Sequence, residues 1–178
     1  MAKKNFPLCE VYRLLEPGPV VLLTTANKEK TNVMAMSWYT MMEFEPPLVG
    51  CVISSRNYSY GLLKTTKECA INIPTARIAQ KAVNCGNLTG AQTNKFKRFG
   101  LTPQSALKIG APLIKECYAN LECRLVDTKM LADYSFFILE VIQAWIDPKV
   151  KNPRTFHHWG RGYFTVDGKK IKLKSKAK

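Results

Sequence analysis

Three short stretches carry residue types that could do chemistry. The first is Ser54-Ser55-Arg56-Asn57-Tyr58-Ser59. It follows an apolar run and opens a stretch that reads as a helix, so free helix amides, hydroxyls and a guanidinium would meet at one point. That combination suits a phosphate, and the same residues would equally serve as an ordinary helix cap. The second is Asn32-Val33-Met34-Ala35-Met36-Ser37-Trp38-Tyr39-Thr40. A strand of Met and small residues can lie along a flat ring and bond the ring's edge through backbone amides, or it can be a Met-rich core strand. The third is Asn87-Leu88-Thr89-Gly90, with Lys95-Phe96 behind it. Glycine lets backbone approach a ligand and Lys95 adds a point charge, unless the segment is a plain surface loop.

Other chemistries find little support. There is no Gly-x-Gly-x-x-Gly, no P-loop, no His-Glu-x-x-His and no Gly-x-Ser-x-Gly. His157 and His158 are adjacent, tend to point apart and have no carboxylate close in sequence, so neither a triad nor a metal site is indicated. Six cysteines occur, at 9, 51, 69, 85, 117 and 123, without a Cys-x-x-Cys pair. Cys51, Cys69 and Cys123 lie in apolar alternations and read as small core residues. No apolar stretch follows Lys3-Lys4, so no secretory signal is visible. A cytoplasmic location with reduced thiols is the expectation.

The elements that must hold the three stretches are mostly strands. Pro19 to Thr25 is apolar and β-branched, 26–30 reads as a turn, and Thr31 to Trp38 reads as a returning strand. Leu48 to Ser54 is nearly all apolar and is expected inside a sheet. Asn57 to Thr66 reads as a short helix, Cys69 to Ile73 as a strand stopped by Pro74. Thr75 to Asn84 reads as a helix capped by Thr75, and 85–93 as a loop. Asn94 to Phe99 reads as a short basic helix ended by Gly100, and 101–112 as a long connection. Asn120 to Asp127 alternates cleanly, with Leu121, Cys123 and Leu125 one way and Glu122, Arg124 and Val126 the other. Tyr134 to Ile146 is the longest β-type run. Asp167-Gly168, between Phe164–Val166 and Lys170–Leu173, is a two-residue hairpin signal. Seven or eight short strands with three inserted helices fit a mainly β fold, an antiparallel barrel with helical insertions.

A chain of 178 residues is the size of one domain and buries roughly 70% of its unfolded surface. Hydrophobic residues make up 46% and charged residues 22%, which excludes disorder, collagen and coiled coil. No run approaches the roughly 20 apolar residues of a membrane-spanning helix. The net charge is +14, and six lysines without an acid fall in residues 169–178. The expected organisation is a domain over 1–168 and a basic tail over 169–178. The tail is either a solvated end or a patch for nucleic acid or anionic membrane. The remaining basic excess favours an anionic ligand, most simply a phosphate.

In order along the chain, the clusters resemble the flavin reductase-like, FMN-binding split-barrel family, close to the flavoredoxin type. The resemblance runs from about Pro19 to Tyr163. It rests on Pro19-Val20-Val21-Leu22-Leu23-Thr24-Thr25, Asn32 with Ser37-Trp38, and Pro46-Pro47-Leu48-Val49. Further on it rests on Arg56 with Ser59, Glu68 to Pro74, Thr89-Gly90 with Lys95-Phe96-Lys97, and Gly160 to Tyr163. The acid that the family usually carries before that lysine is Asn94 here. The resemblance implies a homodimeric antiparallel split β-barrel with FMN at the subunit interface. Arg56, Tyr58 and Ser59 would hold the phosphate, with Ser54 and Ser55 nearby. Asn32, Val33, Met34, Ala35, Met36, Ser37 and Trp38 would line the isoalloxazine ring. Asn87, Thr89, Gly90 and Lys95 would close over the ribityl chain or phosphate, from the same subunit or its partner. The His157–Tyr163 segment, with His157, His158 and Tyr163 as substrate contacts, would border the face on which a nicotinamide stacks.

Flavin chemistry belongs largely to the cofactor, so the lack of a visible acid–base pair fits the family reading. Three functions follow. One is an oxidoreductase that passes electrons from NAD(P)H through FMN to a flavin, a metal or a protein acceptor. Another is an electron-transfer flavoprotein with no nicotinamide activity of its own. A third is a basic nucleic-acid-binding module using the lysine tail and exposed aromatics. Neither membrane nor nucleic acid is the expected partner.

Overall fold

The structure, a computed structural model, describes residues 3–11, 19–159, 161–171 and 173. Its frame is one antiparallel sheet. The first long hairpin joins β2 (Val21–Ala26) to β3 (Thr31–Met36), paired from Val21↔Met36 to Ala26↔Thr31. Then come β4 (Tyr39–Phe44) and β5 (Pro47–Val52), followed by helix α1 (Tyr58–Thr66) and β6 (Glu68–Ile73). Helices α2 (Ala79–Asn87) and α3 (Lys95–Phe99) precede the long strands β9 (Ala119–Asp127) and β10 (Phe136–Ile146). The hydrogen-bonded order is β3-β2-β6-β9-β10-β5-β4, and β1 (Lys4–Asn5) adds to the end of β10. The terminal strands β3 and β4 are consecutive in the chain but not paired. The sheet therefore curls into an open, split barrel rather than a closed one.

β2 explains how the apolar run at 20–25 is used. Val21 and Leu23 point into the barrel with Val49, Ile71, Leu121, Leu139 and Val141. Val20 and Leu22 point the other way, into a second core with Val33, Ala82, Cys85, Phe96 and Phe156. A strand buried on both faces shows no alternation. The second core fixes α2 and α3 against the outer face of β3. Cys51, Cys69 and Cys123 are fully buried in the first core, and all six cysteines are free. No helix among the described residues is long and apolar enough to cross a membrane.

Several expectations need correction. The helix expected over 75–84 is a 3-10 turn at Ala76–Ile78 followed by α2, and Thr75 makes no side-chain cap. Because α2 runs to Asn87, Cys85 and Asn87 belong to a helix and not to the loop. Asp167-Gly168 does not turn a hairpin: β12 (Phe164–Val166) pairs instead with β11 (Phe156–His158). Lys170, Ile171 and Leu173 form no strand, and Lys172, Gly160 and the tail at 174–178 lie outside the described residues. Tyr134 closes a short helix, α4 (Leu131–Tyr134), before β10 begins. The long connection carries a two-stranded ribbon, β7 (Pro103–Gln104) with β8 (Leu113–Ile114). The loop within that ribbon buries Glu122, on the face opposite Leu121 and Cys123. Its carboxylate accepts from Leu107 N at 3.0 Å, Lys108 N at 2.6 Å and the Trp145 indole at 2.7 Å.

Candidate functional site

The phosphate-type cluster lies where β5 gives way to α1. Asn57 precedes the helix in an extended conformation but makes no side-chain cap, and no acid sits in the first turn. Ser54 does not cap the helix either: its hydroxyl accepts from Arg56 N at 3.3 Å and its carbonyl from Asn57 N at 2.9 Å, closing the turn before the helix. Helix amides are thus left without a side-chain cap beside an exposed Arg56, whose guanidinium has no polar partner among the described residues. Ser59, one turn in, is fully buried. Its Oγ accepts from Asn32 Nδ2 at 2.8 Å and from Thr25 Oγ1 at 3.3 Å. These bonds tie α1 to the β2–β3 hairpin.

Arg56, Tyr58 and Ser59 line one hollow of about 260 Å³ together with Asn32, Met34 and Ala35 of β3. The opposite wall is Gly86 and Asn87 of α2, Thr89, Gly90 and Lys95. The three stretches singled out in the sequence therefore converge, within a single chain. Ala35, Gly86 and Asn87 also border a second hollow of about 250 Å³, which continues past Met36 and Ser37 to Val20, Val83, His158 and Phe164. The two form one groove along β3. Gly86 packs on Ala35 across the groove, where an added Cβ would stand 3.4 Å from that of Ala35, in contact.

The middle of the groove holds an unsatisfied group. Asn32 is 2% exposed and its Oδ1 has no hydrogen-bond partner, the only such buried side-chain atom among the described residues. Gly90 faces it so closely that a Cβ would overlap that oxygen. An orphaned acceptor in a protein interior costs on the order of 1–3 kcal/mol, and a ligand hydroxyl or N–H arriving in the groove would recover it. Lys95 plays another part than a free point charge. It is 4% exposed, and its Nζ donates to Val33 O at 2.9 Å and Cys85 O at 2.7 Å. It clamps β3 to α2, and burial lowers its pKa. Asn94, where the family usually has an acid, caps α3 by accepting from Lys97 N at 3.0 Å.

The other expected residues divide. His158 stacks on Phe164, ring centres 4.9 Å apart, at the end of the groove. His157 points away, as adjacency suggested. Its Nε2 meets Asp167 Oδ1 at 2.9 Å, a carboxylate partner brought by the β11–β12 pairing and not by sequence proximity. Trp38 is 72% exposed and Tyr163 74% exposed, and neither borders the groove. Ser54 and Ser55 are exposed beside it, and the Val33 side chain lies in the second core. Sequence reasoning missed Val20, Val83, Gly86 and Phe164. Only Gly86 carried a signal, as a glycine at the close of an apolar helix.

Comparison with known proteins bears on the family and the fold. Residues 13–167 match the family model described as flavin reductase like domain. An uncharacterised Escherichia coli protein, YddH, is 31% identical over 173 residues, covering 89% of this chain and 92% of that one. Among solved structures, an FMN-binding domain of a flavin reductases-like enzyme from Shewanella baltica superposes with a TM-score of 0.92 at 27% identity. That match covers 97% of this chain and 98% of the other. A flavoredoxin from Methanosarcina acetivorans superposes with a TM-score of 0.74 at 27% identity, covering 89% of each chain.

Proposed function

This chain belongs to the flavin reductase-like family, and we propose that it is an FMN-binding oxidoreductase that takes electrons from NAD(P)H and passes them to a flavin, a metal or a protein acceptor. The observation that carries the reading is the groove itself, with a cationic, amide-rich end at Arg56 and α1, an orphaned acceptor at Asn32, and a flat strand leading to His158. Those residues fit FMN. Arg56, the α1 amides and the Ser59 hydroxyl suit a phosphate. Asn32 Oδ1 suits a donor on the sugar-like chain, and the backbone of Ala35 to Ser37 suits the edge of a ring. Bound FMN supplies hydride acceptance and electron transfer.

The chain's own part is to bind, orient and exclude water. Lys95 holds β3 and α2 at fixed spacing while keeping a basic group beneath the groove. The His158–Phe164 stack leaves an aromatic border at the open end, where a nicotinamide ring can align. No side chain has to move a proton for a hydride transfer, in keeping with a groove that offers no acid–base pair. A homodimer and a cytoplasmic location belong to the same proposal. Trp38, Met42 and Phe44 are exposed on and beside β4, an edge a second copy would cover.

The test is the visible spectrum of the protein reconstituted with FMN, recorded anaerobically before and after NADH or NADPH. A yellow protein that bleaches is the expected result. A protein that stays colourless after reconstitution overturns the proposal. The likeness to a flavoredoxin favours one second reading, an electron-transfer flavoprotein without nicotinamide activity. That reading expects a yellow protein reduced by dithionite but not by either nucleotide.

A further inference from the structure

A separate cavity of about 610 Å³ opens beside the turn leading into α2, within the size range of small-molecule sites. Arg77, Ile78, Lys115, Tyr118, Val150 and Arg154 stand in its wall. Ala76 N donates to Arg154 O at 2.7 Å, which holds the two basic segments together. Arg77, Lys115 and Arg154 are exposed and have no carboxylate partner among the described residues. The two acids in the wall, Glu116 and Asp147, are each held by backbone amides and not by the three cations, which outnumber them. Both Glu116 carboxylate oxygens accept from Thr102 N at 3.1 Å, and Asp147 Oδ1 accepts from Lys149 N at 3.0 Å.

Tyr118 is the second, independent observation. It is 7% exposed, lines the cavity, and has no side-chain hydrogen bond among the described residues. Burial and the nearby Asp167 push its pKa up to about 12, so it offers a hydroxyl proton at neutral pH. Three cations without a carboxylate partner, a phenol hydroxyl without a hydrogen bond and an apolar wall of Ile78 and Val150 match a nucleotide, with phosphates, ribose and a flat base.

The cavity is within reach of the groove by two routes. Ile78, which closes the 3-10 turn, and Val83 of α2, one on each site, are five residues apart, roughly 8 Å at helical rise. Arg154 and His158 are four residues apart, at most about 14 Å of extended chain. A dinucleotide can bridge such a span. Resting on the reading of the chain as a nicotinamide-dependent reductase, we propose that this cavity holds the ADP-ribose half of the nicotinamide dinucleotide, whose other half enters the groove at His158.

The experiment is calorimetric titration of the FMN-loaded protein with ADP-ribose, alongside Arg77→Gln/Arg154→Gln and Tyr118→Phe. The double substitution is expected to weaken ADP-ribose at least ~10-fold per arginine, and loss of the phenol a few-fold (~3–10). FMN affinity should be unchanged in both variants, which reports an intact fold. KM for NAD(P)H should rise by similar factors with kcat preserved. ADP-ribose binding that ignores both variants, or absence of binding to a protein that holds FMN normally, overturns the proposal. Because ADP-ribose binding is read without any reduction of flavin, the spectral test of the function can fail while this site stands, and the reverse.

Discussion

Asn32 on β3 and Asn72 on β6 are both buried on the same sheet, and they have opposite hydrogen-bonding fates. Asn72 uses every bond its amide can make. Its Nδ2 reaches Leu22 O at 3.0 Å, Thr24 Oγ1 at 3.3 Å and Ala70 O at 3.3 Å, and its Oδ1 accepts from Ile114 N at 2.9 Å and Asn120 Nδ2 at 2.6 Å. Asn120 donates also to Ile114 O at 3.1 Å and accepts from Lys3. That network closes on itself and fastens the β7–β8 ribbon to β6 and β9. Asn32 donates once, to Ser59, and its oxygen, closely faced by Gly90, has no hydrogen-bond partner. A complete polar network rigidifies a core. An incomplete one beside a groove calls for a partner, which the proposed FMN would supply.

The contrast breaks most easily in stability. Asn72→Ala strands the Ile114 amide and one Asn120 proton at once, and is expected to cost about 3–4 kcal/mol. Asn32→Ala removes one donor and relieves an orphaned acceptor, so the apoprotein should lose under ~1 kcal/mol. Urea unfolding of both apoproteins measures the difference. Equal costs would make Asn32 a structural residue and remove the ligand from its account.

FMN affinity sharpens the same contrast from the other side. Arg56→Ala is expected to weaken FMN by roughly 1.5–3 kcal/mol, the range for a hydrogen bond to a charged group. It should leave apoprotein stability unchanged, because the guanidinium is exposed and unpaired in the fold. Titrating apoprotein with FMN tests it, and an unaltered affinity would put the phosphate away from the start of α1.

Much of this was legible in the sequence, for identifiable reasons. Strands with apolar cores, β2, β5, β6 and β9, announce themselves, as does α3 with Gly100 in the left-handed conformation at its end. β4 does not, because Tyr39 to Phe44 is mostly exposed and lies at an edge, where burial imposes no pattern. The partners of Glu122 and His157 were not legible because they come from other segments: a loop 14 and 15 residues back for one, the end of a paired strand for the other. The three clusters of the groove were visible by residue type. Their roles were less so, since nothing in Lys95-Phe96 reveals that the ammonium turns inward to two carbonyls. Ser54 and Ser55 share the chemistry of Ser59 but lie in the turn before α1, and only Ser59 lines the hollow.

The smallest expected effect concerns the buried ammonium of each region. Lys3 serves the closed network and Lys95 the groove wall, and burial lowers the pKa of both. For Lys95 the lowering means that the unfolded chain binds more protons between the lowered value and 10.5. Stability therefore rises as pH climbs through that window. Cys85 works in the opposite direction, because burial pushes its thiol from 9.0 up to about 11, and stability falls across that interval as the unfolded thiol ionises. Lys95 restrains that push on Cys85, so deleting the cation steepens the fall. Both contributions make wild type gain on Lys95→Met as pH rises from 8 toward 10.5. Urea unfolding of the two proteins at several pH values across that range should show the gap widening. A constant gap would mean that water reaches the Lys95 ammonium, and that the β3–α2 wall is open where Asn32 needs it dry.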